Sequence, residues 1–126
     1  MDIMTSKASR EVLLEKTQDL LENVYSLSSE CAHLAVYENN SLLYLNQVDN
    51  STRVIKLRDT IGTHAPLHCT ALGKILLAYE DIDLDALDLH EYTKNTLTKQ
   101  RYVKKEIEIT KKRLYAIENE EYEYGL

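Results

Sequence analysis

His64, His68 and Cys69 are the residues whose types and spacing first suggest chemistry. Imidazole nitrogens and thiolates bind zinc, and a cysteine beside a histidine can act as a nucleophile. However, the side chains of the adjacent residues His68 and Cys69 diverge, and no nearby aspartate or glutamate completes a ligand set. We therefore predict neither a metal site nor a catalytic thiol, and we expect a buried His68 that hydrogen-bonds to the backbone. His33 and His90 belong to no recognisable pattern.

Gly73 and Lys74 resemble the end of a phosphate-binding loop. Such a loop needs the pattern Gly-x-x-x-x-Gly-Lys-Ser/Thr, which is missing around these residues. We predict instead that Gly73 lets its helix pack closely on the sheet and that Lys74 extends its ammonium group into solvent. No cofactor is expected.

The composition argues against DNA binding by this chain. Its net charge is −6, and affinity for nucleic acids depends largely on lysines and arginines that neutralise phosphates. The basic stretch 99–113 is interrupted by Glu106 and Glu108, so we interpret it as a solvated helix face. Neither a membrane-spanning run nor a signal peptide is recognisable. Because the two cysteines lack Cys-x-x-Cys spacing, we expect a cytoplasmic protein with free thiols.

Hydrophobic periodicity predicts the elements that position these residues. Apolar residues at helical spacing predict a helix over residues 6–27. Its inward face should carry Leu13, Thr17, Leu20, Leu21 and Val24. Alternating residues then predict a hairpin of strands 31–38 and 42–48, joined at Asn39-Asn40, and a further strand over 54–58.

The second half of the chain is predicted to be mostly helical. The pattern predicts a loop 60–66 around Gly62, followed by a helix 70–79 with Ala71, Ile75 and Ala78 inward. A short helix 83–89 and a polar loop 92–98 come next. The last predicted elements are a helix 99–114, with an apolar face made of Val103, Ile107, Thr110 and Leu114, and a strand 115–118. Strands that precede helices and then return indicate an α+β fold, with an antiparallel sheet and flanking helices.

Three stretches resemble the effector-binding domain of IclR-type bacterial transcription regulators. They read HLAVYENNSLLYLNQV at 33–48, GTHAPLHCTALGKILLA at 62–78 and YAIENEEYEYGL at 115–126. The first is similar to the family's opening hairpin. The second is similar to its hallmark Pro-Leu-His loop and Gly-Lys helix, and the third to a strand that ends in paired glutamates and Gly-Leu. Where many members have glycine before the strand tyrosine, this chain has Leu114.

The resemblance implies a GAF/profilin-like domain, with an antiparallel sheet and helices on both sides. Residues 1–29 would form a linker-type helix, and residues 30–126 a partial effector-binding domain, truncated at its C-terminal end. The resemblance also implies a homo-oligomer that is not an enzyme. It would sense a small molecule, often a carboxylate or an aromatic acid, and would reach DNA only through a winged helix-turn-helix absent from this chain.

The resemblance implies that Thr70, Ala71, Leu72 and Glu118 bind the effector. The first turn of a helix also has unpaired N–H groups and a positive dipole end, which attract carboxylates. Glu118 could accept hydrogen bonds from a ligand hydroxyl or amine, although its charge would repel an anion. Two alternatives stay open at these residues: Thr70 caps its own helix and binds nothing, and Glu118 is only a charge at a strand end. A third is that the domain has lost sensing and only oligomerises.

Overall fold

The structure is a computed structural model that describes residues 7–49 and 60–125. The predicted strand 54–58 lies outside these described residues. The elements are helix α1 (Lys7–Ser28), strands β1 (Ala32–Glu38), β2 (Ser41–Val48) and β3 (His64–Ala65), helix α2 (Ala71–Tyr79), a 3-10 turn (Leu84–Ala86) and helix α3 (Gln100–Arg113). The predicted fold class, α+β with an antiparallel sheet, is confirmed.

The sheet has the order β1-β2-β3. Asn39 and Asn40, which join β1 to β2, have positive φ angles of 49° and 61°. Because asparagine tolerates this conformation better than most residues, the predicted tight hairpin turn forms. The third strand, His64–Ala65, lies where a loop was predicted. Gly62 turns the chain at φ 84°, and the backbone around it bonds to both the N–H and the carbonyl of Tyr44, so pairing continues along β2.

One compact unit comprises Met1–Glu38 and Leu43–His64. Its apolar cluster joins α1 to the sheet through Leu21, Ala32, Val48, Tyr25 and Leu34. The inward face predicted for α1 was only partly right, since Leu20 and Val24 are 61% and 53% exposed. The buried stripe runs through Leu21, so these two neighbours fall on its flank.

The second compact unit comprises Asn39–Leu42 and Ala65–Leu126, and in it α2 packs against α3. On α2 the buried residues are Gly73, Lys74, Leu77 and Ala78. Ala78 is thus buried as predicted, whereas Ala71 and Ile75 are only half-buried. On α3, Val103 and Thr110 are buried as predicted. Leu114, by contrast, ends the helix in the left-handed conformation and is 75% exposed.

Residues 115–118 form no strand and do not join the sheet, so the strand predicted there was wrong. Side chains, rather than a neighbouring strand, donate to the carbonyls of this segment and of the residues after it. The donors are Lys74 to Ile117, Asn95 to Asn119, Thr93 to Glu120 and Thr96 to Glu121. The helix predicted over 83–89 is reduced to the 3-10 turn Leu84–Ala86, which Asp83 caps. No helix among the described residues is both long and apolar enough to cross a membrane.

Candidate functional site

Thr70 caps the N-terminus of α2, as predicted. Its backbone is extended, with φ −123° and ψ 149°, and its hydroxyl accepts from the Gly73 N–H at 3.1 Å. The same hydroxyl donates its proton to the Pro66 carbonyl at 2.7 Å. Because its proton is already used, buried Thr70 offers a ligand no hydrogen-bond donor from its side chain.

Ala71 and Glu118 are far apart in the sequence, yet the structure brings them together at the start of α2. The backbone N–H of Ala71 hydrogen-bonds to the Glu118 carboxyl group and favours its charged form. A carboxylate of the chain itself therefore lies at the positive end of the helix dipole. Leu72, the next residue of the first turn, is half-buried.

The Glu118 carboxyl group is held in a partly desolvated setting. Burial and the negative charge of Glu121 raise its pKa above the ordinary value, while the Ala71 N–H and Lys74 act in the opposite direction. Its Oε2 atom is shielded from solvent and has no hydrogen-bond partner among the described residues. A buried polar atom without a partner is uncommon in folded proteins, and a bound ligand or water is one explanation for it.

Lys74 does not extend to solvent, so that prediction was wrong. Its side chain is 3% exposed, and Nζ lies 2.8 Å from both carboxylate oxygens of Glu121. It also donates to the Ile117 carbonyl at 2.8 Å. Such a buried ion pair forms only when its remaining hydrogen bonds are satisfied, and here the Asn119 N–H also donates to Glu121. Together these contacts hold the Glu118 segment against α2.

Gly73 is required by close packing, but not against the sheet as predicted. A Cβ at this position would collide with the backbone of Leu67 and with Thr70 Oγ1. The glycine therefore lets the first turn of α2 close onto the turn before it.

His68 and Cys69 are structural. His68 is buried and its Nε2 bonds to the His90 carbonyl at 2.9 Å, which confirms the prediction. Burial raises the pKa of the Cys69 thiol to about 12, so a nucleophilic thiolate is not available there at neutral pH. His64 pairs with Glu38 instead. In the ranges that the structure describes, no group of three or more His, Cys, Asp or Glu side chains is arranged to hold a metal ion.

The chain is similar in sequence to bacterial transcription regulators. A family model described as bacterial transcriptional regulator IclR, C-terminal, matches residues 5–126. The HTH-type transcriptional regulator KdgR of Dickeya chrysanthemi is 28% identical over 127 residues, which cover 96% of this chain and 41% of that protein. The chain spans less than half of the length of the curated relatives it matches.

Solved structures agree on the fold. The crystal structure of Thermotoga maritima IclR has a TM-score of 0.80 and 26% identity, covering 98% of this chain and 49% of that one. An IclR homolog from Microbacterium hydrocarbonoxydans, complexed with 4-hydroxybenzoate, has a TM-score of 0.71 and 20% identity, covering 82% and 45%. The described elements, their order and the sequence match over nearly the whole chain lead to one assignment. The chain belongs to the family of IclR-type C-terminal domains, the effector-binding domains of bacterial transcription regulators.

Proposed function

We propose that this chain is the sensing part of an IclR-type transcription regulator and binds a small organic acid at the start of α2. Thr70, Ala71 and Leu72 would form one side of the site, and Glu118 would form the other. The regulator would act in the cytoplasm as a homo-oligomer. Residues 1–29 would link this domain, residues 30–126, to a winged helix-turn-helix outside the chain, which would make all the contacts with DNA.

The observation that carries this proposal is the carboxyl group of Glu118 beside the Ala71 N–H. The first turn of α2 already holds one carboxyl group, so a ligand carboxylate would replace Glu118 at Ala71 or bind beside it. The proton of the Thr70 hydroxyl is already used, so the backbone N–H of Leu72, and that of Ala71 once a ligand displaces Glu118, would be the binding groups. Oε2 of Glu118, which has no hydrogen-bond partner among the described residues, would provide a second polar contact.

The same carboxyl group limits which acids can bind. A charged Glu118 would repel an anionic ligand, but its raised pKa makes protonation easier than for an ordinary glutamate. A protonated Glu118 donates a hydrogen bond to a ligand carboxylate, whereas a charged one accepts from a ligand hydroxyl. Hydroxy acids satisfy both arrangements. The 4-hydroxybenzoate bound by the Microbacterium homolog, a protein of the same fold, belongs to this chemical class.

Calorimetry on the regulator that contains this chain tests the proposal. A panel of glyoxylate, pyruvate and 4-hydroxybenzoate should include at least one binder. Ala71→Trp should weaken that binder at least about tenfold, because the indole covers the first-turn amides. Ala86→Trp, on the exposed 3-10 turn, is the matched control and should leave affinity unchanged. Equal affinity in both variants would remove the site from the start of α2.

A second candidate function, self-association without sensing, is favoured by the exposed apolar side chains of α1. Leu20, Val24 and Leu27 follow each other at helical spacing and are 61%, 53% and 88% exposed. A second copy of the chain could bury this stripe. Light scattering on the chain should then give a dimer mass that Leu20→Glu lowers, whereas Lys16→Glu should not. A monomer at high concentration would dismiss this function.

A further inference from the structure

Cys31 and His33 lie close together at the start of β1, well separated in the sequence from the proposed effector site. Residues two apart in a strand point to the same face, so the spacing Cys-x-His places the two side chains side by side. The distance from Cys31 Sγ to His33 Nε2 is 3.3 Å. Cys31 is half-buried and carries a thiol rather than a disulfide, whereas Cys69 is fully buried.

Thr60 and Gln47 contact the other side of the His33 ring. The Thr60 N–H donates to Gln47 Oε1 at 3.0 Å, which fixes the orientation of that amide. The Thr60 hydroxyl lies 3.2 Å from the same oxygen and 3.2 Å from His33 Nδ1. When the hydroxyl donates to Oε1 it accepts from Nδ1, and in this tautomer the lone pair of Nε2 faces the Cys31 thiol.

The charge state of His33 suits a base. Burial lowers the pKa of the imidazole, and the nearby negative charge of Asp49 opposes this effect only in part. At neutral pH the ring is therefore mostly uncharged and able to take a proton. A nucleophile beside a base that a third group orients is the recognised arrangement of an activated thiol.

We propose that Cys31 is a reactive thiol that peroxides oxidise, with His33 as the base and Thr60 as the positioning residue. The sulfur attacks one oxygen of hydrogen peroxide while Nε2 takes the thiol proton. The O–O bond breaks, and the leaving hydroxide takes that proton to become water. The sulfur loses two electrons and keeps the oxygen that it attacked, so the products are a sulfenic acid and one molecule of water. This modification would fall between the end of α1 and the start of β1.

Peroxide treatment of the whole chain, followed by dimedone trapping and mass spectrometry, measures this reaction directly. Trypsin places Cys31 in the peptide 17–53 and Cys69 in the peptide 59–74, so each thiol is followed separately in the wild-type chain. The Cys31 peptide should be trapped and the Cys69 peptide should not. His33→Gln should slow Cys31 oxidation about tenfold or more at pH 7. Thr60→Val should slow it less, because the base remains but loses its partner.

His64→Gln is the matched control, since this exposed histidine lies in strand β3 of the same sheet but pairs with Glu38. It should leave the rate unchanged. Oxidation of Cys31 at the rate of glutathione, or equal slowing by His33→Gln and His64→Gln, would overturn the proposal. If His33→Gln unfolds by circular dichroism, Thr60→Val decides alone.

Discussion

The two cysteines occupy opposite environments, although each has a histidine close by in the sequence. Cys69 follows His68, but His68 bonds to the His90 carbonyl, and Cys69 is fully buried. Cys31 is two residues from His33, lies within hydrogen-bond distance of it and is half-buried. Adjacency in sequence therefore does not make a reactive pair. The period of the local element decides whether two side chains meet, and burial decides whether a reagent reaches them.

The largest expected effect is the difference in alkylation rate between the two thiols. With a pKa of about 12, Cys69 has on the order of one thiolate in 10⁵ at pH 7, against about 3% for an ordinary thiol. Iodoacetamide should therefore label Cys31 at least about a thousandfold faster than Cys69 in the folded chain. Mass spectrometry of the peptides 17–53 and 59–74 measures both rates. Similar rates would contradict the burial of Cys69.

The next largest effect concerns the contacts that keep Cys69 buried and protected from labelling. Lys74→Met leaves the buried Glu121 without its partner and should lower the free energy of unfolding by about 3–5 kcal/mol, as urea denaturation measures it. Labelling of Cys69 should accelerate by about a hundredfold or more, because the opening that exposes it costs less. The double variant Lys74→Met/Glu121→Leu should recover most of the loss.

Lys104→Met is the control for this change. Lys104 is exposed on α3, so its replacement should shift stability by no more than about 0.5 kcal/mol. If Lys74→Met were equally harmless, the buried ion pair would have no part in holding the Glu118 segment against α2.

Lys74 also shows why part of the site could not be predicted from the sequence. Local signals, namely periodicity, turn residues and a capping hydroxyl, predict several elements correctly. These are the hairpin with its Asn39-Asn40 turn, α1, and α2 with its Thr70 cap. The partner that allows Lys74 to be buried, Glu121, comes from a distant segment, so the helix pattern alone favoured solvent. A lysine in the middle of an apolar helix was the available signal.

The strand predicted over residues 115–118 was wrong for a related reason. A strand needs a neighbouring strand, which no local pattern specifies, and here side chains such as Lys74 and Thr93 supply donors for the segment and its continuation. The Cys31–His33 pair could have been found, because an alternating strand was already predicted there and residues at i and i+2 share a face. The sequence did not reveal Thr60 as the group that orients the ring.

Replacing Glu118 should have a smaller effect on the free energy of unfolding, and this effect should depend on pH. Its pKa is raised in the folded chain, so the folded state holds the proton more tightly than the unfolded state does. Its contribution to stability is therefore present at low pH and is lost as the pH rises above the unfolded value of 4.5 towards the folded one. At pH 7, Glu118→Gln should raise the free energy of unfolding by less than about 1 kcal/mol, because solvent screens a half-exposed group.

Urea denaturation at several pH values tests this expectation. The difference in stability between Glu118→Gln and the wild-type chain should grow between pH 4.5 and 7. Glu108→Gln, on the exposed face of α3, is the matched control and should show the smaller change. A difference that shrinks with rising pH would reverse the sign and would mean that the Ala71 N–H and Lys74 outweigh burial.

The smallest expected effect comes from Leu114, which ends α3 at φ 66° with its side chain 75% exposed. The left-handed conformation is strained for leucine and not for glycine, while little apolar surface is lost on replacement. Leu114→Gly should therefore stabilise the chain by about 1 kcal/mol in urea denaturation.

If Cys69 is labelled through global opening, its alkylation should slow by about fivefold in Leu114→Gly, whereas that of Cys31 should not change. Lys105→Gly, in the exposed interior of α3, should do the opposite and destabilise by about 1 kcal/mol. A loss of stability in both variants would mean that Leu114 is not strained, and slower labelling of both cysteines would mean that Cys31 also reacts only after the chain opens.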